Sequence, residues 1–124
     1  MSCCSDKMEP LKSESCCTPR DTAQQAASSM RETKCGCAPI VEDKQTRKVV
    51  GVVTERDLVH KLAAEGRLAS EVHVAEIMSP VSACCASEAP LDEARQKLQE
   101  HNTTSLPVVD KAGNCCGTIS VHGL

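Results

Sequence analysis

The chain has no phenylalanine, tryptophan or tyrosine. Without rings it lacks the stacking platforms that single-strand nucleic-acid binders use. It also lacks an excess of positive charge: 14 Lys and Arg stand against 17 Asp and Glu, for a formal net charge of −3. A nucleic-acid face needs basic surface to displace counterions, so no nucleic-acid partner is expected. Long hydrophobic runs are missing too. The longest hold four or five residues, as at Val49 to Val53, far short of the ~20 that cross a bilayer. No membrane partner is expected. Met1 to Lys12 is polar, with no apolar core of a secretory signal, and a cytoplasmic location is the expectation. The 124 residues suit one compact domain, or two half-size units sharing a core.

Cysteine, by contrast, is abundant, at ten residues. In a short secreted chain ten would read as a disulfide framework; with no export signal and apolar segments able to build a core, they do not. Four groups are adjacent pairs, Cys3-Cys4, Cys16-Cys17, Cys84-Cys85 and Cys115-Cys116, and the fifth is Cys35 with Cys37. None has the paired C-x2-C spacing of a zinc site. Neighbours on a strand point to opposite faces, so an adjacent pair does not easily share one metal. From Cys16 onward the reading is burial, with cysteine as a small hydrophobe in place of the missing rings. Cys3 and Cys4 sit in a polar stretch and are expected to be exposed, reactive thiols.

The sequence repeats itself. At an offset of 68, Cys16-Cys17 falls on Cys84-Cys85, Ala26 on Ala94, Met30 on Leu98, and Ala38-Pro39-Ile40-Val41 on Leu106-Pro107-Val108-Val109. Past the next loop the offset is 66, which places Gly51-Val52-Val53-Thr54 on Gly117-Thr118-Ile119-Ser120. Met8-Glu9-Pro10 echoes Met78-Ser79-Pro80 at 70. One unit of about sixty residues occurs twice.

Each unit predicts the same elements. Asp21 or Thr22 caps a helix with an apolar face of Ala23, Ala26, Ala27 and Met30. In the second unit Pro90 suits a first helical turn, and Leu91, Ala94 and Leu98 form the stripe. A short apolar strand follows (Ile40-Val41; Val108-Val109), then a polar hairpin loop, Glu42 to Arg47 or Asp110 to Gly113. The returning strand is Lys48 to Thr54 or Cys115 to Val121. Glu55 to Glu65 has helical spacing at Leu58, Val59, Leu62 and Ala63, with Gly66 as its stop. The order is strand, helix, strand, strand, helix. The second unit reaches Leu124 where its closing helix would begin. Apolar surface left there needs cover, either from the stretch before Cys16 or from a second chain; a dimer is the expectation.

Three motifs carry a resemblance: Gly51-Val-Val-Thr54-Glu-Arg-Asp57-Leu58, Val74-Ala-Glu-Ile-Met-Ser-Pro80, and Leu106-Pro-Val-Val-Asp110 followed by Gly117-Thr-Ile-Ser120. In this order, twice over, they resemble a tandem pair of CBS domains. The resemblance implies an α/β fold, an α+β sandwich of two β-α-β-β-α repeats about a pseudo-twofold axis, with the closing helix of the second missing. The expected division is a polar tail at 1–6, repeat 1 at 7–66, a linker at 67–73 and repeat 2 at 74–124. It also implies a regulatory module that binds AMP, ADP, ATP or S-adenosylmethionine in clefts between repeats. Such a module requires no cofactor, forms a homodimer and signals to a separate effector protein.

The family's nucleotide motif, Gly-apolar-x-Thr/Ser-x-x-Asp, is intact at Gly51, Thr54 and Asp57. A carboxylate has lone pairs for two neighbouring ribose hydroxyls. Thr54 can bond a sugar or phosphate oxygen, Arg56 can meet a phosphate, and the amides opening the Glu55 helix favour an anion. The plainer reading of Thr54 and Asp57 is an N-cap and a first-turn acid. By family analogy repeat 2 completes this cleft with Ala83, Cys84, Thr104 and Ser105. A weaker second cleft would use Ser120 with Cys16, Gly36 and Cys37, because repeat 2 has Gly123, after His122, where the acid should be.

The rival reading is a cysteine-based metal or redox sensor, with Cys35 and Cys37 as the best candidate ligands because a turn could face both thiols one way. A third is a ligand-free dimerisation scaffold. His60, His73, His101 and His122 make no pairing with a nucleophile, and no paired carboxylates emerge. No enzyme activity is expected. Glu93, Arg95, Lys97 and Glu100 read as a solvated helix face.

Overall fold

A computed structural model describes residues 3–10, 16–81 and 83–121. In chain order its elements are α1 (Cys4–Lys7), β1 (Glu9–Pro10), α2 (Ala23–Thr33), β2 (Cys37–Val41), β3 (Val49–Thr54), α3 (Glu55–Lys61), β4 (Cys85–Ala86), α4 (Leu91–Glu100), β5 (Ser105–Val109) and β6 (Cys115–Ser120). Three short 3-10 turns, Ala63–Glu65, Ala69–Glu71 and Val74–Glu76, carry the chain between α3 and β4.

Local chemistry explains the helix ends. Thr22 Oγ1 accepts from the Gln25 N–H and Gln25 Oε1 accepts from the Thr22 N–H, a capping box that starts α2. Its buried face is Ala23, Ala26, Ser29 and Met30, so Ser29 takes the place expected for the half-buried Ala27. Pro90 is the N-cap of α4 rather than part of its first turn. After α3 the chain tightens into a 3-10 turn that Gly66 ends at φ 66°. Leu62 turns inward, but Val59, expected on the apolar face, is 55% exposed, and Asp57 is buried instead.

The repeat governs the sheets. The hairpin β2–β3 pairs Cys37 with Thr54 and carries a bulge between Ile40 and Val41. The hairpin β5–β6 pairs Ser105 with Ser120 and bulges between Val108 and Val109. Their loops hold a left-handed residue at the same place, Arg47 at φ 59° and Gly113 at φ 85°. Only the glycine takes that conformation without steric cost.

Each hairpin is flanked by the segment that precedes the other repeat. In the four-stranded sheet β1-β6-β5-β4, Glu9 of β1 pairs with Thr118 and Cys85 of β4 runs parallel to Val108. Around β2–β3 the same places are filled by single bridges, Ser79 to Val52 and Cys17 to Ile40. The exchange continues at the helix starts. The Cys4 N–H donates to Ala89 O at 2.9 Å, and the Val74 N–H donates to Asp21 O at 2.7 Å.

Cys4 is consequently fully buried, in a core with Cys85, Ala94, Leu98, Leu106, Val108 and Ile119. The expectation that it is an exposed thiol is wrong, because it fills in repeat 2 the position that Val74 fills in repeat 1. The first core gathers Ala26, Ile40, Val53, Leu62, Val74 and Ile77. Of the two covers considered for repeat 2, the N-terminal stretch is present, with α1 against β6. The hairpins meet face to face, β2 against β5 and β6, and the Cys115 N–H donates to Arg47 O at 2.7 Å. Among the described residues no helix is long and apolar enough to cross a membrane.

Candidate functional site

Thr54 ends β3 and caps α3. Its Oγ1 accepts from the Asp57 N–H at 3.1 Å, and Asp57 Oδ2 accepts from the Thr54 N–H at 2.9 Å. The plainer reading of the pair is thus met in full. Asp57 does more than cap. Its Oδ1 accepts from Ser79 Oγ at 2.8 Å and pairs with Lys61 Nζ at 3.0 Å. Lys61 in turn donates to Ile77 O and Ser79 Oγ. Burial pushes the Asp57 carboxyl upward, but the hydrogen bonds from Thr54, Lys61 and Ser79 outweigh it and hold the group below the usual carboxylate range.

This corner forms one wall of a cavity of about 440 Å3 between the two repeats. Thr54, Arg56 and Asp57 face Ala83, Thr104 and Ser105 across it. Six of the seven residues assigned to the cleft from sequence therefore meet there. Cys84 does not: it is half-buried, and its carbonyl accepts from Lys97 Nζ at 2.8 Å. That contact also removes Lys97 from the purely solvated face expected of α4. The sequence reading missed Ser79, Pro80, His101 and Asn102, which also line the cavity. The echo of Met8-Glu9-Pro10 in Met78-Ser79-Pro80 was the available signal for Ser79 and Pro80.

Cys37, assigned to the weaker cleft, lines this one. Burial pushes its thiol up to about 11, against a lowering contact from Ser105. Ser105 Oγ is shielded from solvent and makes no hydrogen bond of good geometry, leaving the weak Cys37 thiol as its neighbour. At the rim Gly36 is a point of close approach, since a Cβ there would lie 2.6 Å from Thr104 Oγ1.

The residues of the second cleft are not drawn together. Ser120 is half-buried at one end of β6. Cys16 packs with Val41 and Cys115 at the other, and borders a separate hollow of about 230 Å3 with Asp21 and Lys44. His122 and Gly123 lie outside the described residues. Cys35 and Cys37 take different partners as well. Cys37 opens β2 beside Ser105, whereas Cys35 Sγ lies 3.1 Å from Thr118 Oγ1. Among the described residues no group of three or more His, Cys, Asp or Glu is arranged to hold a metal ion.

The CBS domain family model matches the chain twice, over residues 10–64 and 74–124. The chain belongs to the CBS domain family. Among relatives of this CBS pair, the Methanopyrus kandleri protein MK0525 is 31% identical over 107 residues, covering 86% of this chain and 54% of its own length. The chain thus spans about half of that relative. The fold is shared with a CBS domain protein of Pyrobaculum aerophilum, PAE2072, solved with AMP (TM-score 0.80, 21% identity, covering 99% of this chain and 90% of that one). It is shared too with the CBS pair of MJ0100, solved with 5-methylthioadenosine and S-adenosyl-L-methionine (TM-score 0.77, 22% identity, 99% and 92%). The tandem α/β arrangement expected from the repeats is the fold observed.

Proposed function

We propose that this CBS pair is a regulatory module that takes an adenosine-containing ligand in the cleft of Thr54 and Asp57, one per chain. The observation that carries the reading is the meeting of those two residues with Ala83, Thr104 and Ser105 of the other repeat in a single cavity. Asp57 is held ionised, and its Oδ2 has a lone pair left after accepting from Thr54. The Thr54 hydroxyl accepts from Asp57 N–H and keeps its own proton to donate. Together they offer an acceptor and a donor to a ribose diol. The AMP and S-adenosylmethionine seen in folds of this kind support the assignment.

A ligand here touches both repeats and so favours one arrangement of the pair over others. The output passes to a separate effector protein, and the module does no chemistry of its own. Reduced protein, followed by far-UV circular dichroism because it has no tryptophan, should melt at higher temperature with saturating AMP or S-adenosylmethionine. Asp57→Ala should melt at the same temperature with and without ligand. An unchanged melting temperature of the wild type with AMP, ADP, ATP and S-adenosylmethionine would contradict the proposal.

A further inference from the structure

We infer that the cleft selects adenosine ligands with at most one phosphate, and discriminates against nucleoside di- and triphosphates. The inference rests on the reading of this cleft as an adenosine site. Its basis is the supply of positive charge and of free N–H donors around the cavity.

Among the described lining residues Arg56 is the one permanent cation, and Glu55 and Asp57 stand beside it. Lys61 sits close behind, but its three N–H bonds are matched by three acceptors: Asp57 Oδ1 at 3.0 Å, Ile77 O at 3.0 Å and Ser79 Oγ at 3.3 Å. The backbone offers little more. The Glu55 N–H donates to Gly36 O at 3.2 Å, and the Asp57 N–H donates to Thr54 Oγ1 at 3.1 Å. The amides expected to favour an anion are thus largely committed to the protein itself. The opposite wall is polar and mostly uncharged: Asn102, Thr103, Thr104 and Ser105, with His101 at the edge.

A guanidinium accommodates one phosphate through paired hydrogen bonds. A triphosphate brings roughly four negative charges at neutral pH, because its terminal phosphate is close to doubly ionised and each inner one carries a single charge. One meets Arg56, and the others face water or Glu55, whose like charge repels them. A nucleoside or a sulfonium nucleoside brings no negative charge to place, and a monophosphate, with nearly two charges of which one meets Arg56, leaves at most about one.

Equilibrium dialysis against adenosine, AMP, ATP and magnesium-ATP, at low and at physiological salt, tests this. AMP should bind at least about tenfold more tightly than free ATP, and magnesium, which cancels about two of the charges, should narrow that gap. Arg56→Gln, at an exposed position, should weaken AMP about tenfold while leaving adenosine unchanged. Glu55→Gln should narrow the gap between AMP and ATP. Free ATP binding as tightly as AMP would overturn the selectivity and leave the adenosine reading standing. No binding of any of the four would overturn both.

Discussion

Ser79 Oγ donates to Asp57 Oδ1 at 2.8 Å while the Ser79 backbone pairs in both directions with Val52, at 2.8 and 2.9 Å. The carboxylate assigned to a ligand is therefore also the clasp that holds the segment leading into repeat 2 against β3 of repeat 1. A ribose hydroxyl on Oδ1 would have to displace Ser79 or Lys61, whereas one on the spare lone pair of Oδ2 would leave the clasp in place.

Asp57→Asn removes the ion pair and weakens the clasp and the cap together. The expected cost is about 2 kcal/mol, or a fall in Tm of about 8 °C, read by far-UV circular dichroism in the absence of ligand. A variant as stable as the wild type would show that these hydrogen bonds carry no net energy.

The same residue sets an acid dependence. Burial raises the Asp57 carboxyl, and the hydrogen bonds from Thr54, Lys61 and Ser79 lower it further than that, to below its ordinary 3.8. A folded value under the unfolded one gives stability that is full above the unfolded value and lost as pH falls through the folded value. The Tm difference between wild type and Asp57→Asn should hold steady from pH 7 to 5 and close below about pH 4. A difference that grows on acidification would reverse the sign.

Thiol burial makes a third expectation. Cys3, Cys84 and Cys116 are half-buried, while the other seven cysteines are buried. Burial pushes Cys17, Cys85 and Cys115 up to about 12, where the reactive thiolate is scarce. Brief alkylation of the native, reduced protein should modify Cys3, Cys84 and Cys116 first, as peptide mass spectrometry would record. Early labelling of Cys4 or Cys85 would contradict the placement of α1.

Cys4 offers a sharper check of that placement. Because Val74 fills the equivalent position of repeat 1, Cys4→Val should change stability by less than about 1.5 kcal/mol. Cys4→Asp, which buries a charge among Cys85, Leu98 and Ile119, should cost several times more. Equal, small effects in chemical denaturation would place Cys4 in solvent.

Much of this was legible from sequence because it is local or repeated. The offsets of 68 and 66 fix the two hairpins residue for residue, down to matching bulges. Thr22, Thr54 and Gly66 act at helix ends within one turn of the chain, so their roles can be read from their neighbours. What escaped the sequence depends on exchange between the halves. Cys4 looks polar in context because its apolar partners lie about 80 residues or more away. Ser79 stands in a motif of repeat 2 with no sign of its role, because Asp57, Lys61 and Val52 reach it only in the folded chain. Cys84 and Ala83 are sequence neighbours, yet only Ala83 borders the cavity; in extended chain, adjacent side chains diverge.

Everything proposed for the Thr54–Asp57 cleft depends on its binding an adenosine ligand. Isothermal titration calorimetry of AMP and of S-adenosylmethionine into reduced protein tests it most directly, with Asp57→Ala, verified as folded, run in parallel. Saturable heat is expected with at least one of the two ligands, at one site per chain, and should be abolished in the variant. No heat with either ligand, or binding that Asp57→Ala leaves intact, would contradict it.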